Sequence, residues 1–444
     1  MELPIEFENR MKDMLKEEYS EFFEEFTKNE SISGVRINKL KEAPEKLLNI
    51  LSDLKKIPWC DNGYYIKKEI LDGNSPFHIG GLLYFQEPSA MSVVSAIGIK
   101  PGDYVLDLCS APGGKATQIA EELAGEGVLV ANEIVKKRSL ILSDNIERMG
   151  IKNAIVTNET PERLSEKFPQ FFNKIIVDAP CSGEGMFRKE PKALVEWSKE
   201  HTESCALRQK LIIDSAIKML SPGGELIYST CTFAPCENEG VVQYILDNYP
   251  DMELIPIKLP YFTDADARFV NSSYDMSYAK RIFPHKNKGE GHFIALFKKS
   301  GEFKKPVFKE NKAKLSEEKM FLDFQEKFLN TDFSGTFVSF GENLYLMPEN
   351  IDIDKLKVER AGLHLGRCKK GRFEPSHALL MSLTPSEIKN TFEAEDISGF
   401  LRGETLKGDI CGWCSVTYLG INIGWAKGTD GILKNHFPKH LRLF

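Results

Sequence analysis

Tyr104-Val105-Leu106-Asp107-Leu108-Cys109-Ser110-Ala111-Pro112-Gly113-Gly114-Lys115 is the stretch on which the fold turns. Tyr104–Leu108 is an apolar run of strand length. A paired-glycine loop follows, and helix-forming sequence opens near Ala116. Glycines at such a strand-to-helix turn let the backbone approach a ligand closely. The loop is not a phosphate-binding P-loop: Ala116 stands where that motif needs Ser or Thr, and no glycine lies five positions before Gly114. Twenty residues after Gly113, at the end of the next apolar run, comes Glu133. An acid there can accept both hydroxyls of a ribose, so loop and acid together point to an adenosine-containing cofactor.

Outward from this loop the pattern alternates. Met91–Ile99 reads as a short helix, and Gly127–Ala131, Ala154–Thr157, Lys174–Val177 and Glu225–Ser229 read as strands. Helices are predicted at Lys136–Met149, Ser204–Leu220 and Glu239–Asn248, with Met252–Ile257 a further candidate strand and His292–Phe297 the last. Repeated βα units of this length predict an α/β, doubly wound, mostly parallel sheet, whose ligands sit at the carboxyl ends of the strands.

Two of those ends carry cysteine: Asp178-Ala179-Pro180-Cys181-Ser182-Gly183 and Ser229-Thr230-Cys231-Thr232. A cysteine in a core is ordinarily inert packing. Two at the mouths of neighbouring strands face one crevice, and no further His or Cys stands at metal-ligand spacing in these loops, so no metal is expected. A thiolate is the strongest protein nucleophile near neutral pH. Beside a methyl donor, the chemistry that needs one is methylation of cytosine carbon 5. A thiolate added to carbon 6 makes carbon 5 nucleophilic, a base then removes the carbon-5 proton, and a carboxyl group steadies the ring. Cys231, Cys181 and Asp178 meet that requirement.

The chain has 444 residues, enough for two or three domains, with 42% hydrophobic and 28% charged residues and a net charge of −7. The charge is uneven: residues 1–30 hold ten acids against four bases, while residues 354–373 hold seven bases against two acids. Nine cysteines at irregular spacing argue against a disulfide framework. Neither a secretory signal nor a run of about 18 apolar residues is present, so no membrane association is expected and the cytoplasm is the expected location. Residues 5–28 read as one amphipathic helix, with Met11, Leu15, Phe22 and Phe26 on one face. The domain reading is therefore 1–90, an N-terminal helix and small α+β lead-in; 91–297, the cofactor domain; 298–314, a polar basic linker; and 315–444, a β-rich C-terminal domain.

These segments resemble the Sun/RsmF family of RNA cytosine-5 methyltransferases. The resemblance rests on Phe85-Gln86-Glu87-Pro88-Ser89-Ala90-Met91, the loop at 107–115, Val177 through Lys189, Tyr228 through Glu239, and Gly289-Glu290-Gly291-His292-Phe293. It spans about 210 residues in the family's order. It implies a Rossmann-like sheet that binds S-adenosyl-L-methionine and whose last strand is antiparallel. It also implies roles. Cys231 is the nucleophile and Cys181 assists product release. The cofactor lies along Cys109, Ser110, Ala111, Pro112, Gly113, Gly114 and Lys115, with its ribose on Glu133. Asp178 stands between cofactor and target base, with Lys115 facing the same space. Asn158, where many relatives carry Asp, is near the adenine. Arg138 reads either as a cofactor contact or as a solvated helix residue.

Met186-Phe187-Arg188-Lys189 and the long C-terminal part look most like the RsmF branch, which acts on 16S ribosomal RNA of the small subunit. The C-terminal part is then an RNA-binding module, and a monomer is expected. Lys355–Phe373, with Arg360, Arg367, Lys369, Lys370 and Arg372, reads either as a phosphate-tracking patch or as a solvated basic face. Transfer RNA remains an alternative substrate, and a non-catalytic assembly factor an alternative function. Cys411-Gly412-Trp413-Cys414 has redox or metal half-site spacing, but neither a second such motif nor a βαβ context accompanies it. An adenine-N6 enzyme would carry an aromatic residue after Pro180, where this chain has Cys181.

Overall fold

The computed structural model describes residues 2–28, 32–67, 69–308, 316–369 and 371–443. Its centre is a mixed sheet, read across from Thr263–Asp264 through Lys280–Ile282, His292–Lys299, Leu220–Thr230, Phe172–Asp178, Tyr104–Asp107, Val128–Asn132 and Ala154–Thr157 to Val358–Ala361. The five strands from Leu220–Thr230 to Ala154–Thr157 are parallel. His292–Lys299 runs antiparallel to Leu220–Thr230, as the resemblance implied.

Side-chain alternation explains why these strands are apolar throughout. Leu106, Val130, Ile155, Ile175 and Val177 enter one core with Ile212, Ile213 and Ala216 of helix Lys199–Met219. Val105, Leu129, Val156 and Ile176 enter the opposite core with Ile119, Ala120, Leu142 and Ile146 of helices Gly114–Leu123 and Lys136–Arg148. A sheet covered on both faces selects continuous hydrophobic runs. Each fully buried aliphatic side chain adds roughly 1.5–3 kcal/mol over exposure.

The N-terminal segment is not one helix. Lys16 adopts φ 51°, which separates Ile5–Leu15 from a short 3-10 turn and Tyr19–Thr27. Phe7, Met11, Phe22 and Phe26 close over Phe187, Trp197 and Phe233, so both helices pack against the loops that follow the cysteine-bearing strands. Beyond them, Gly63–Ile66, Ser33–Ile37 and Leu83–Gln86 form a small antiparallel sheet. The C-terminal part holds a four-stranded and a five-stranded sheet, and the five-stranded one shares a core with the N-terminal sheet through Val35, Leu83, Val416 and Ile423. No helix among the described residues is long and apolar enough to cross a membrane.

One feature departs from the sequence reading. Val358–Ala361 leaves the C-terminal part and pairs antiparallel with Ala154–Thr157, so the central sheet crosses the expected division at residues 297–315. Residues 309–314 of the expected linker, and residue 315 after it, lie outside the described residues. Arg360 is consequently removed from the phosphate-tracking patch. Its guanidinium is buried, Nη2 lies 2.6 Å from Glu147 Oε2, and Nε donates to Ser143 Oγ at 3.3 Å. Arg367 and Arg372 are exposed on the hairpin Leu363–Lys369/Arg372–Pro375, Lys369 is half-buried, and Lys370 lies outside the described residues. Removing one partner of a buried ion pair leaves the other charge uncompensated. Arg360→Ala should therefore cost about 3 kcal/mol in urea unfolding, and Arg360→Met with Glu147→Met should recover most of it.

Candidate functional site

The register of two parallel strands builds the site. Asp178 pairs with Ser229, so the loops that leave these strands start side by side. The Ser229 hydroxyl donates to Asp178 Oδ1 at 2.8 Å, and Gly185 N–H donates to the Cys231 carbonyl at 2.8 Å. Gly185 is required at that approach, since a Cβ there would stand 2.9 Å from the Cys231 carbonyl oxygen. The sulfurs of Cys181 and Cys231 come to 3.3 Å, both as half-buried free thiols. The hydrogen bond to Cys231, reinforced by burial, pushes the Cys181 thiol well above its ordinary value.

Lys115, in the first turn of helix Gly114–Leu123, reaches across to Asp178 Oδ2 at 2.6 Å. His292 Nε2 lies 3.6 Å from Asp178 Oδ1. Burial alone would raise the Asp178 carboxyl, but Lys115 and His292 outweigh it and hold it well below the usual carboxylate range. Asp178 is thus a carboxylate, suited to accepting hydrogen bonds and not to donating a proton. Lys115 also feels the charge of Cys231, which puts the cation and the candidate nucleophile in one electrostatic neighbourhood.

The glycine loop begins at buried Asp107, whose Oδ2 accepts from Ser110 Oγ at 2.7 Å while Oδ1 has no partner among the described residues. Gly113 adopts φ 116°, a conformation that strongly favours glycine, and its carbonyl starts the helix by accepting from Thr117 N–H. Ser110 N–H donates to the Asn132 carbonyl, which ties the loop to the end of the next strand. Glu133 follows, 3% exposed, with Oε1 accepting from Val135 N–H and Oε2 3.2 Å from Arg138. Arg138 also donates to the Ala111 carbonyl at 2.7 Å, so it links the loop to the acid and is more than a solvated helix residue. Asn158 spends its amide on the carbonyls of Glu133 and Ile134 and shapes the turn that carries the acid. Cys109 is half-buried, and desolvation pushes its thiol far up. An ammonium and ribose hydroxyls fit this donor set: the unpartnered oxygen of Asp107 and the carboxylate of Glu133 both lie at strand ends, beside a backbone that glycine leaves open.

Several groups around the cysteines were not assigned roles from the sequence. His292 belongs to the quoted Gly289–Phe293 segment, yet its approach to Asp178 depends on antiparallel pairing of the last strand. Glu184 is fully buried and accepts from Arg10 at 2.5 Å, Trp197 at 2.7 Å and Phe233 N–H at 3.0 Å. Glu237 takes two bonds from Ser182 and one from Gln209. A buried carboxylate has no sequence signature apart from its place inside a motif. Away from the site, Cys411 is exposed while Cys414 is buried in strand Gly412–Tyr418, with its thiol on the Ala426 carbonyl.

Burial raises the Asp107 carboxyl from 3.8 to about 7. A raised acid contributes its full stability below its unfolded value and loses it as pH rises through the folded value. Wild type should therefore lose stability relative to Asp107→Asn between pH 4 and pH 7, read as the difference in urea midpoints. A difference that stays constant with pH would contradict this.

Comparisons with known proteins agree along the whole chain. Family models match as "16S rRNA methyltransferase RsmB/F" over residues 94–298 and "N-terminal domain of 16S rRNA methyltransferase RsmF" over 3–88. Two more match as "RsmF rRNA methyltransferase first C-terminal domain" over 323–383 and "Methyltransferase RsmF PUA domain" over 388–443. A protein named Ribosomal RNA small subunit methyltransferase F from Shewanella piezotolerans is 33% identical over 435 residues, covering 92% of this chain and 90% of that protein. Its namesake from Escherichia coli is 32% identical over 439 residues, with the same coverage. Among solved structures, a methyltransferase homolog protein from Pyrococcus horikoshii superposes with a TM-score of 0.59 at 30% identity, over 66% of this chain and 93% of that one. With four RsmF-type segments in order and a relative matched over nearly its full length, the chain belongs to the 16S rRNA methyltransferase RsmB/F family, on its RsmF branch.

Proposed function

We propose that this chain is an S-adenosyl-L-methionine-dependent RNA methyltransferase that forms 5-methylcytosine in 16S ribosomal RNA of the small subunit, acting in the cytoplasm through a covalent Cys231–cytosine adduct that Cys181 resolves. The observation that carries this reading is the pair of free sulfurs 3.3 Å apart, beside the Lys115–Asp178 ion pair at 2.6 Å. The substrate follows from the relatives, which are named as small-subunit ribosomal RNA methyltransferases.

Residues Cys109–Lys115 and Glu133 would hold the cofactor, with Asn158 and Arg138 fixing the shape of that rim. When bound, the cofactor supplies an electrophilic methyl group. The Cys231 thiolate adds to carbon 6 of a cytosine turned out of its stack, which makes carbon 5 nucleophilic. Asp178, held ionised, accepts from the cytosine amino group, and the Lys115 ammonium offsets charge that develops on the ring.

The sulfur pair also orders the steps. As a thiol, Cys181 donates toward Cys231 and stabilises the Cys231 thiolate; this bond is the largest cause of the raised Cys181 value. Once Cys231 is bonded to carbon, that cause disappears. Cys181 then ionises more readily, at the stage when a base must take the carbon-5 proton and let Cys231 leave.

Each cysteine therefore has its own signature. Cys231→Ala should abolish methyl transfer and adduct formation while cofactor affinity stays within about twofold. Cys181→Ala should still attack, and a protein–RNA adduct stable to denaturing electrophoresis should accumulate. Normal turnover by Cys181→Ala with nothing trapped would refute the division of roles.

A further inference from the structure

The residues that follow the two cysteines are themselves joined. Ser182 and Thr232 meet through their hydroxyls at 2.8 Å. Ser182 also gives its N–H to Glu237 Oε2 at 3.0 Å and its O–H to Glu237 Oε1 at 2.5 Å. Gln209 gives a third proton to Oε2 at 2.8 Å and bonds the Pro180 carbonyl at 3.1 Å. When Glu237 is ionised and holds the Ser182 proton, Thr232 is the donor to Ser182. The chain of hydroxyls then has one direction, from the Cys231 loop through Ser182 to the carboxylate.

The neighbouring turn anchors Glu237 on the other side. Tyr228 Oη donates to the Glu237 carbonyl at 2.6 Å, and the Asn238 amide donates to the Thr232 carbonyl at 2.9 Å. Glu237 is fully buried, and among the described residues none of its hydrogen-bond donors is a cation. Burying a carboxylate without a counter-charge is costly, and a neutral side chain could fill the same space. A carboxylate differs in offering two acceptor oxygens to three donors. An amide offers one oxygen, and its NH2 is met only if the Ser182 hydroxyl turns to accept from it, which reverses the link to Thr232.

We propose that Glu237 is a positioning residue: its carboxylate, through Ser182 and Thr232, clamps the Cys181 loop to the Cys231 loop so that the two sulfurs meet. This rests on the two-cysteine chemistry proposed above, deepens it, and places no contact between Glu237 and substrate. Glu237→Leu removes all three acceptor contacts; Ser182→Ala cuts the same link with a smaller change inside the core.

Two readouts test it on the full chain. Phenylarsine oxide, a trivalent arsenical, bridges two thiols only when they are close, and so reports sulfur pairing without RNA or cofactor. Wild type should bind it at a site lost in Cys231→Ala, and both Glu237→Leu and Ser182→Ala should bind there at least about tenfold more weakly, a difference of roughly 1.4 kcal/mol. With RNA, both variants should lower kcat and accumulate covalent adduct as Cys181→Ala does, with KM for S-adenosyl-L-methionine unchanged. Wild-type arsenical affinity and wild-type release in Ser182→Ala would overturn the proposal. So would loss of methyl transfer with no adduct in both variants, which marks a merely structural role. If wild type itself forms no 5-methylcytosine, the cytosine chemistry fails, while the arsenical result still decides the clamp.

Discussion

The parallel ladder between Phe172–Asp178 and Leu220–Thr230 is the constraint on which the site depends. Asp178 opposite Ser229 brings two loops out of the sheet together, and each places a cysteine a few residues beyond its strand. A slip of one residue would shift a loop by roughly 3.3 Å and turn alternate side chains to the opposite face. The ladder holds its register because Ile175 and Val177 fill one core while Ile176 and Ile227 fill the other. Chemistry at the loop tips is thus referred back to hydrophobic packing in the middle of the sheet.

The other parts of the chain brace these tips from three sides. The N-terminal helices reach the loop after Cys181 through Arg10 on Glu184 and through Phe7 and Phe26 on Phe187, and the loop after Cys231 through Phe22 and Phe26 on Phe233. Arg188 and Glu290, joined at 2.6 Å and both buried, fix that loop to the turn before His292. Arg36 of the N-terminal sheet pairs with Glu121 at 2.5 Å and donates to the Gly114 carbonyl, which steadies the start of the helix that carries Lys115. On the far edge the backbone of Lys357 bonds Asn158 N–H and the Glu159 carboxylate, so the C-terminal part touches the rim that carries Glu133.

Much of this was legible in the sequence because it is local. The parallel strands read as strands because burial on both faces makes them apolar throughout, and the glycine loop reads as a loop because Gly113 needs a conformation other residues avoid. Cys181 and Cys231 stood out because each lies within three residues of a strand end. What could not be read depends on partners distant in sequence. Val-Glu-Arg-Ala at 358–361 carries no strand signal, and only its pairing with Ala154–Thr157 makes it one. Arg360 looks like a surface base until Glu147 is found beside it. Lys16 breaks the N-terminal helix with neither Gly nor Pro to announce it. Glu237 stands inside the Tyr228–Glu239 segment with nothing local to mark its role, because its three donors come from two segments remote in sequence.

The central claim is that this crevice methylates carbon 5 of cytosine in small-subunit ribosomal RNA. The most direct test is transfer of tritiated methyl from S-adenosyl-L-methionine into unmethylated small ribosomal subunits, with bisulfite mapping of the product. One or a few discrete 5-methylcytosines in 16S RNA, absent with Cys231→Ala, is the predicted result. Label confined to transfer RNA, or no label in any RNA, would contradict it.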